Sequence, residues 1–184
     1  MSQNLFKLCF VFLVSFHGSV TAQNIYGTED GSIQFHSDAP LELITAACKE
    51  MKGKVDLDKK IFAFSVKISA FTGFNSPLQR EHFNENYMES TQYPYAFFSG
   101  KIIEDIDYSI DGTYTLRAKG KLSVHGVVRE RIIKNEVVVK NGVISIRSKF
   151  TVFLADHDIA IPKIVYEKLA SEINVEIKAD LLKQ

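Results

Sequence analysis

Gly112-Thr113-Tyr114-Thr115-Leu116-Arg117-Ala118-Lys119-Gly120-Lys121-Leu122-Ser123-Val124-His125-Gly126 is the stretch from which the rest of the chain is read. One parity carries Tyr114, Leu116, Ala118, Gly120, Leu122 and Val124; the other carries Thr113, Thr115, Arg117, Lys119, Lys121, Ser123 and His125. Alternation sustained over this length predicts a β-strand with one dry and one wet face. On a helix, Arg117, Lys119 and Lys121 would fall among the apolar residues. The dry face also steps down in size, from Tyr114 and Leu116 to Ala118 and Gly120. Small inward residues leave volume unfilled or let the strand bend, which suits a barrel wall better than a flat sandwich.

The same alternation recurs on both sides of this stretch. Residues 61–70 place Phe62, Phe64, Val66, Ile68 and Ala70 on one face, and residues 95–103 place Ala96, Phe98, Gly100 and Ile102 together. Further on, Ile144, Ile146, Ser148, Phe150, Val152 and Leu154 share a face, as do Ile173, Val175, Ile177, Ala179 and Leu181. Residues 127–140 are rich in β-branched residues and follow His125-Gly126, where Gly126 allows a bend. Asp111-Gly112 and Asn141-Gly142 are hairpin signals and imply antiparallel neighbours. Residues 32–36 and 54–57 read as two short strands. About eight strands, each with one apolar face, predict a mostly β protein: an eight-stranded antiparallel barrel able to hold a small ligand or a packed core. A two-sheet sandwich is the alternative architecture.

Two or three short helices interrupt the strands. Asp38 can cap a helix with Pro40 in its first turn, and Leu41, Ile44, Cys48 and Met51 recur at helical spacing up to Gly53. Cys48 lies on that stripe and reads as a buried small hydrophobe rather than a reactive thiol. Ser76-Pro77-Leu78-Gln79 reads as a capping box opening a helix that runs to about Glu89, with Phe83 and Tyr87 one turn apart. That helix could close one end of a barrel. Residues 162–170 can form a third, with Val165 and Leu169 facing inward.

Residues 1–22 read as a secretory signal peptide: Lys7, an apolar core over residues 8–14, and Val20-Thr21-Ala22 before a cut at Gln23. A membrane anchor is the competing reading, but the apolar run falls short of the ~20 residues a span needs. Residues 23–184 then form a single domain, exported and without a membrane span. Cys9 falls in the leader, which leaves Cys48 without an internal disulfide partner. Lys+Arg and Asp+Glu both number 22, so charge gives no case for nucleic acid.

No Gly-x-Ser-x-Gly, phosphate loop or His-Glu-x-x-His is present. His36, His82, His125 and His157 stand apart in sequence, so no metal ligand set is indicated and each reads as structural. Asp156 and Asp158 flank His157 in what reads as a polar turn. Asp105, Asp107 and Ser109 imitate the start of a calcium loop, but its glycine and late glutamate positions hold Ile110 and Leu116.

In this order, residues from Ile33-Gln34-Phe35 onward resemble the YceI-like family of exported lipid-binding barrels. The resemblance rests on His82 to Met88, Tyr93-Pro94, Phe97-Phe98-Ser99-Gly100, the strand ending in Leu122-Ser123-Val124-His125-Gly126, and Phe150 to Asp158. Ser123 stands where threonine is usual. Residues 38–53 read as a helix where many members carry a longer strand and hairpin. The resemblance implies a lipocalin-like barrel partly closed by a helix, with an apolar tunnel that takes a long isoprenoid or similar lipid in the periplasm; full secretion is the alternative. Phe62, Phe64, Val66, Phe98, Leu116, Ile146 and Phe150 would line that tunnel, with Ala118 and Gly120 giving room. Burial alone could hold such a chain, at about 0.8 kcal/mol per methylene. The expected role is carriage or storage of the lipid, without catalysis, cofactor or metal; a homodimer is left open. Two other classes compete: an enzyme using His125 or His157, with or without Asp156, and a partner-binding module whose barrel is fully packed.

Overall fold

The computed structural model describes residues 24–184; the leader assigned to residues 1–22 lies outside the described residues. Eight strands run β1 (Ile25–Asp38), β2 (Leu43–Asp56), β3 (Ile61–Lys67), β4 (Tyr95–Ile102), β5 (Gly112–Val124), β6 (Val127–Lys140), β7 (Val143–Phe153) and β8 (Glu172–Lys183). Each pairs antiparallel with the next, and β8 pairs with β1, so the sheet closes into an up-and-down barrel without a free edge. The long strand read from the sequence is β5. It is paired along its whole length with β6, from Gly112↔Val139 to Val124↔Val127. Its dry parity faces the interior, where Leu116, Ala118 and Leu122 are buried.

The segment expected to be a helix, residues 38–53, is instead the end of β1, a turn over residues 39–42 and most of β2. Residues of β2 alternate, with Ile44, Ala46 and Cys48 buried, then Met51, Gly53 and Val55 buried, and the exposed pair Lys49-Glu50 between the two sets. Between the pairs Gly31↔Met51 and Ile33↔Cys48, three steps on β2 oppose two on β1, a β-bulge. The extra residue turns the steps between Ile44, Cys48 and Met51 into four and three, which imitates a helical stripe. Cys48 is indeed buried and free, and burial pushes its thiol pKa up. Pairing of this long β2 with β1 also extends the first strand to fourteen residues, where only residues 32–36 were expected. The short strand expected at residues 54–57 is the end of β2.

Connections differ from expectation in three further places. Asp111-Gly112 is not a tight hairpin; a loop over residues 103–111 joins β4 to β5. His125-Gly126 is more than a bend: φ of +50° and +74° make it a two-residue reversal, as Asn141-Gly142 is with +51° and +78°. Residues 162–170 form only a single 3-10 turn, Lys163–Val165, with further turns after it. The capped helix is present as α1 (Pro77–His82), whose Ser76 side chain accepts from the Gln79 N–H. It widens into one π turn over Phe83–Tyr87.

Up-and-down topology sorts the connections by end. One end holds the short links over residues 57–60, 103–111 and 141–142. The other holds the β1–β2 turn (39–42), the α1 segment (68–94), the His125-Gly126 reversal and the β7–β8 segment (154–171). The chain thus places its bulk over one mouth of the barrel, called here the helical end. Buried apolar residues form one main cluster inside, including Met51, Val55, Phe62, Leu116, Val137 and Leu181. Each such side chain contributes about 1.5–3 kcal/mol on burial.

Candidate functional site

Inward side chains do not fill the barrel. An inner compartment of about 130 Å³ is lined by Phe62, Phe64, Val66, Phe98, Leu116, Ala118, Ile146 and Phe150, among others. All the inward residues named from sequence except Gly120 are therefore brought together here. Its two inward polar side chains satisfy each other: the Ser148 hydroxyl bonds to Asn135 Oδ1. The Asn135 amide donates in turn to the carbonyls of Ile133 at 3.0 Å and Leu116 at 3.3 Å. Apart from Ser65 and Arg117, the rest of the lining is hydrocarbon and aromatic ring.

Gly120 does something else. It lies directly opposite Gly100 on β4, and a Cβ on either would run into the backbone of the other strand. The pair lets β4 and β5 approach closely, which affects the wall rather than the free volume.

A larger compartment of about 500 Å³ adjoins the first toward the helical end. Ile33, Val66, Ala96, Leu122 and Phe150 line both, so the two meet across this ring of residues. Small-molecule sites commonly span about 300–1,000 Å³, so the outer compartment alone is large enough and the inner one extends it. Its roof is aromatic. The Phe83 ring on the π turn lies 5.4 Å from Phe35, 5.8 Å from Phe71 and 5.0 Å from Phe74, centroid to centroid. These are ordinary aromatic packing distances. Sequence reading assigned lining residues only on long alternating strands. Phe71, Phe74 and Phe83 sit on a loop and a helix, outside any alternating stretch, and the Phe83–Tyr87 spacing is the one signal of them in the sequence.

Polar groups gather at the outer edge of this compartment. Glu42, in the β1–β2 turn, accepts from Gln79 Nε2 at 2.9 Å and from Asn75 Nδ2 at 3.2 Å. Ser37 Oγ, fully buried, accepts from the Ala170 N–H at 2.9 Å. His82 and Lys168 complete the polar lining there.

Tyr93, Pro94, His125 and Gly126 sit together but outside the cavity lining. Edge-on to Tyr93 (centroids 4.8 Å), the His125 ring directs Nδ1 at the His157 carbonyl (3.1 Å) and Nε2 at Glu89 Oε2 (2.9 Å). Gly126 packs against the Tyr93 ring, which leaves no room for a Cβ. The Pro94 carbonyl accepts from the Ile68 N–H. This constellation ties the end of the helical segment, the β5–β6 reversal and the β7–β8 segment to one another.

His157 is not in a polar loop: it is 1 % exposed, and its Nδ1–H donates to the Val127 carbonyl at 3.1 Å. Burial pushes its pKa below the usual histidine range. Asp156 turns toward Arg131 (3.6 Å) instead. The His157 ring is thus engaged with the Val127 carbonyl, the His125 ring with the His157 carbonyl and Glu89, and Asp156 with Arg131, so the three are not gathered into one group. Among the described residues, no group of three or more His, Cys, Asp or Glu side chains is gathered as a metal site requires. Nor is any described helix long and apolar enough to cross a membrane.

The model of the YceI-like domain matches residues 18–181. The chain matches none of the curated proteins by sequence. Among solved structures it is similar to a polyisoprenoid binding domain from Saccharophagus degradans implicated in plant cell wall breakdown (TM-score 0.74, 11 % identity, covering 88 % of this chain and 99 % of that one). It is also similar to BcnA from Burkholderia cenocepacia (TM-score 0.66, 13 % identity, 83 % and 96 %). A third likeness is the YCEI protein of Campylobacter jejuni (TM-score 0.55, 15 % identity, all of both chains). At these identities the likeness is one of fold.

Proposed function

This chain belongs to the YceI-like family, and we propose that it binds the apolar chain of an isoprenoid-like or fatty lipid inside the barrel, as an exported carrier or store acting in the periplasm. The observation that carries the reading is the pair of adjoining compartments that share five lining residues, lined mostly by hydrocarbon, with polar groups at the helical end. An apolar chain gains about 0.8 kcal/mol for each methylene it buries, so such a cavity needs no catalytic group to hold it. The polyisoprenoid-binding domain of similar fold supports the ligand class. Phe62, Phe64, Val66, Phe98, Leu116, Ala118, Ile146 and Phe150 serve as the wall of the inner half, and Phe35, Phe71, Phe74 and Phe83 as the roof of the outer half. Tyr93, Pro94, His125 and Gly126 act as a structural tie rather than as ligand contacts.

Native mass spectrometry of protein purified without detergent from an exporting host, followed by organic extraction, tests this. The expected result is a stoichiometric adduct that extracts as a long-chain lipid. A clean apo mass that stays apo when prenols are added would overturn the reading.

A further inference from the structure

Exposed apolar side chains stand at both ends of the barrel, Ile103 and Ile110 among those at the end away from the helix, but only at the helical end do they adjoin the outer compartment. At the helical end, Leu41 (67 % exposed), Leu78 (57 %), Ile164 (91 %) and Tyr166 (56 %) stand in water. The elements that carry them converge. The Leu41 N–H donates to the Glu167 carbonyl at 2.8 Å, which ties the β1–β2 turn to the 163–169 segment. Glu42, next in sequence, is held by Asn75 and Gln79 at the start of α1. All three elements also line the outer compartment, through Glu42, Leu78, Gln79, Val165 and Lys168. Leu78 does both: it lines the cavity and is exposed, so apolar surface reaches from inside the barrel, past Glu42 and Gln79, onto its rim. At the opposite end the links are tied by the ion pairs Lys60–Asp105 at 2.9 Å and Arg117–Glu104 at 2.6 Å, and the exposed Ile103 and Ile110 there do not line the outer compartment.

We propose that this rim docks on the surface of a lipid bilayer, inserting Leu41, Leu78, Ile164 and Tyr166, so that a lipid chain passes between hydrocarbon and cavity without crossing water. The inference rests on the lipid-binding reading and adds to it where and how the ligand is exchanged. Exposed apolar side chains gathered on converging elements mark an interaction site, and their place at the mouth of the cavity selects the occupant. Only an apolar phase pressed against this mouth would spare the leaving chain the cost of hydration, which grows with every methylene exposed. An isoleucine at the tip of a 3-10 turn beside a tyrosine suits shallow insertion, with the tyrosine hydroxyl left at the headgroup level. Charge does not drive the contact: Arg80, Lys163 and Lys168 on these elements are offset by Glu42, Glu81 and Glu167, and the rest of the helical end adds Glu85, Glu89, Asp156 and Asp158. Docking is therefore expected on neutral lipid, with little dependence on salt.

The test uses the leader-free chain, phosphatidylcholine vesicles carrying dansyl-farnesol, and the variants Ile164→Asp and Leu41→Asp/Ile164→Asp. Neither position lines the cavity, and at 91 % exposure Ile164→Asp folds even if the double variant does not. Co-sedimentation with vesicles and the rate of probe extraction are expected to fall at least about tenfold in the variants. The affinity for the same probe added from dilute solution is expected to stay unchanged. If the native chain takes up the dissolved probe yet ignores vesicles, or if the variants extract as fast as it does, docking is overturned while the cavity reading stands. Loss of both activities in Ile164→Asp also overturns it, since the rim would then be part of the binding site. A native chain that takes up neither the dissolved nor the vesicle-borne probe ends the lipid reading itself, and docking with it.

Discussion

Gly100 and Gly120 face one another where β4 crosses closest to β5, and backbone already occupies the space a methyl group would need. Gly120→Ala is therefore expected to destabilise the barrel by about 1–3 kcal/mol through overpacking. Chemical denaturation would read this as a lower midpoint at unchanged slope, and an unchanged midpoint would show that the two strands have more room than their pairing allows. His157 makes a different prediction. Its buried ring favours the neutral form in the folded state, so its folded pKa lies below its unfolded one, about 6.5. A base shifted in this direction contributes stability that is fully present above the unfolded pKa. That stability is lost as pH falls from about 6.5 through the folded value, because the unfolded chain takes up the proton first. Thermal stability of the native chain should thus drop between about pH 7 and 5 more steeply than that of His157→Gln, although the variant starts lower. Parallel pH profiles for the two proteins would remove His157 as the cause.

The roof of the outer compartment is held at one residue. Phe83 is the side chain that packs the π turn onto Phe35, Phe71 and Phe74. Phe83→Ala removes these contacts at a site only half buried, so the cost should fall below the 3–5 kcal/mol typical of a fully buried phenylalanine. Because the barrel ladders do not pass through this segment, the loss should be local. Hydrogen exchange of amides in residues 77–88 is expected to quicken while those of β5 and β6 keep their protection; uniform quickening would mean that the roof and barrel unfold as one unit. The legibility of each element follows from the same physics. β5 could be read residue by residue because a two-faced strand without a bulge shows its period directly. β2 could not, because its bulge at Lys49-Glu50 shifts the parity by one and lends the stripe a helical spacing. The wall of the inner compartment was legible for that reason, and the roof was not. Phe71, Phe74 and Phe83 meet only through the folding back of a loop and a π turn, and no local period records such a meeting.

Seen along the barrel axis, the cavity has a direction. The outer compartment lies under the helical end, and the inner one continues toward the opposite end, past the ring where Ile33, Val66, Ala96, Leu122 and Phe150 border both. A chain that enters at the helical end must pass this ring before its far end reaches Ala118, so the length of the chain decides whether Ala118 matters. Ala118→Phe places a ring in a compartment of about 130 Å³ and leaves the outer one of about 500 Å³ as it was. The substitution adds bulk at a site with free volume beside it, so its stability cost should stay at the low end of the 1–3 kcal/mol usual for overpacking. Farnesol, short enough to lodge in the outer compartment, is expected to bind Ala118→Phe as it binds the native chain. Solanesol, several times longer, should lose at least about tenfold in affinity, which corresponds to the burial of roughly two methylenes forgone. Titration of both prenols against both proteins gives the answer. Equal losses for the two would place the short chain in the inner compartment as well, and no loss for either would mean that the bound chain never passes the shared ring.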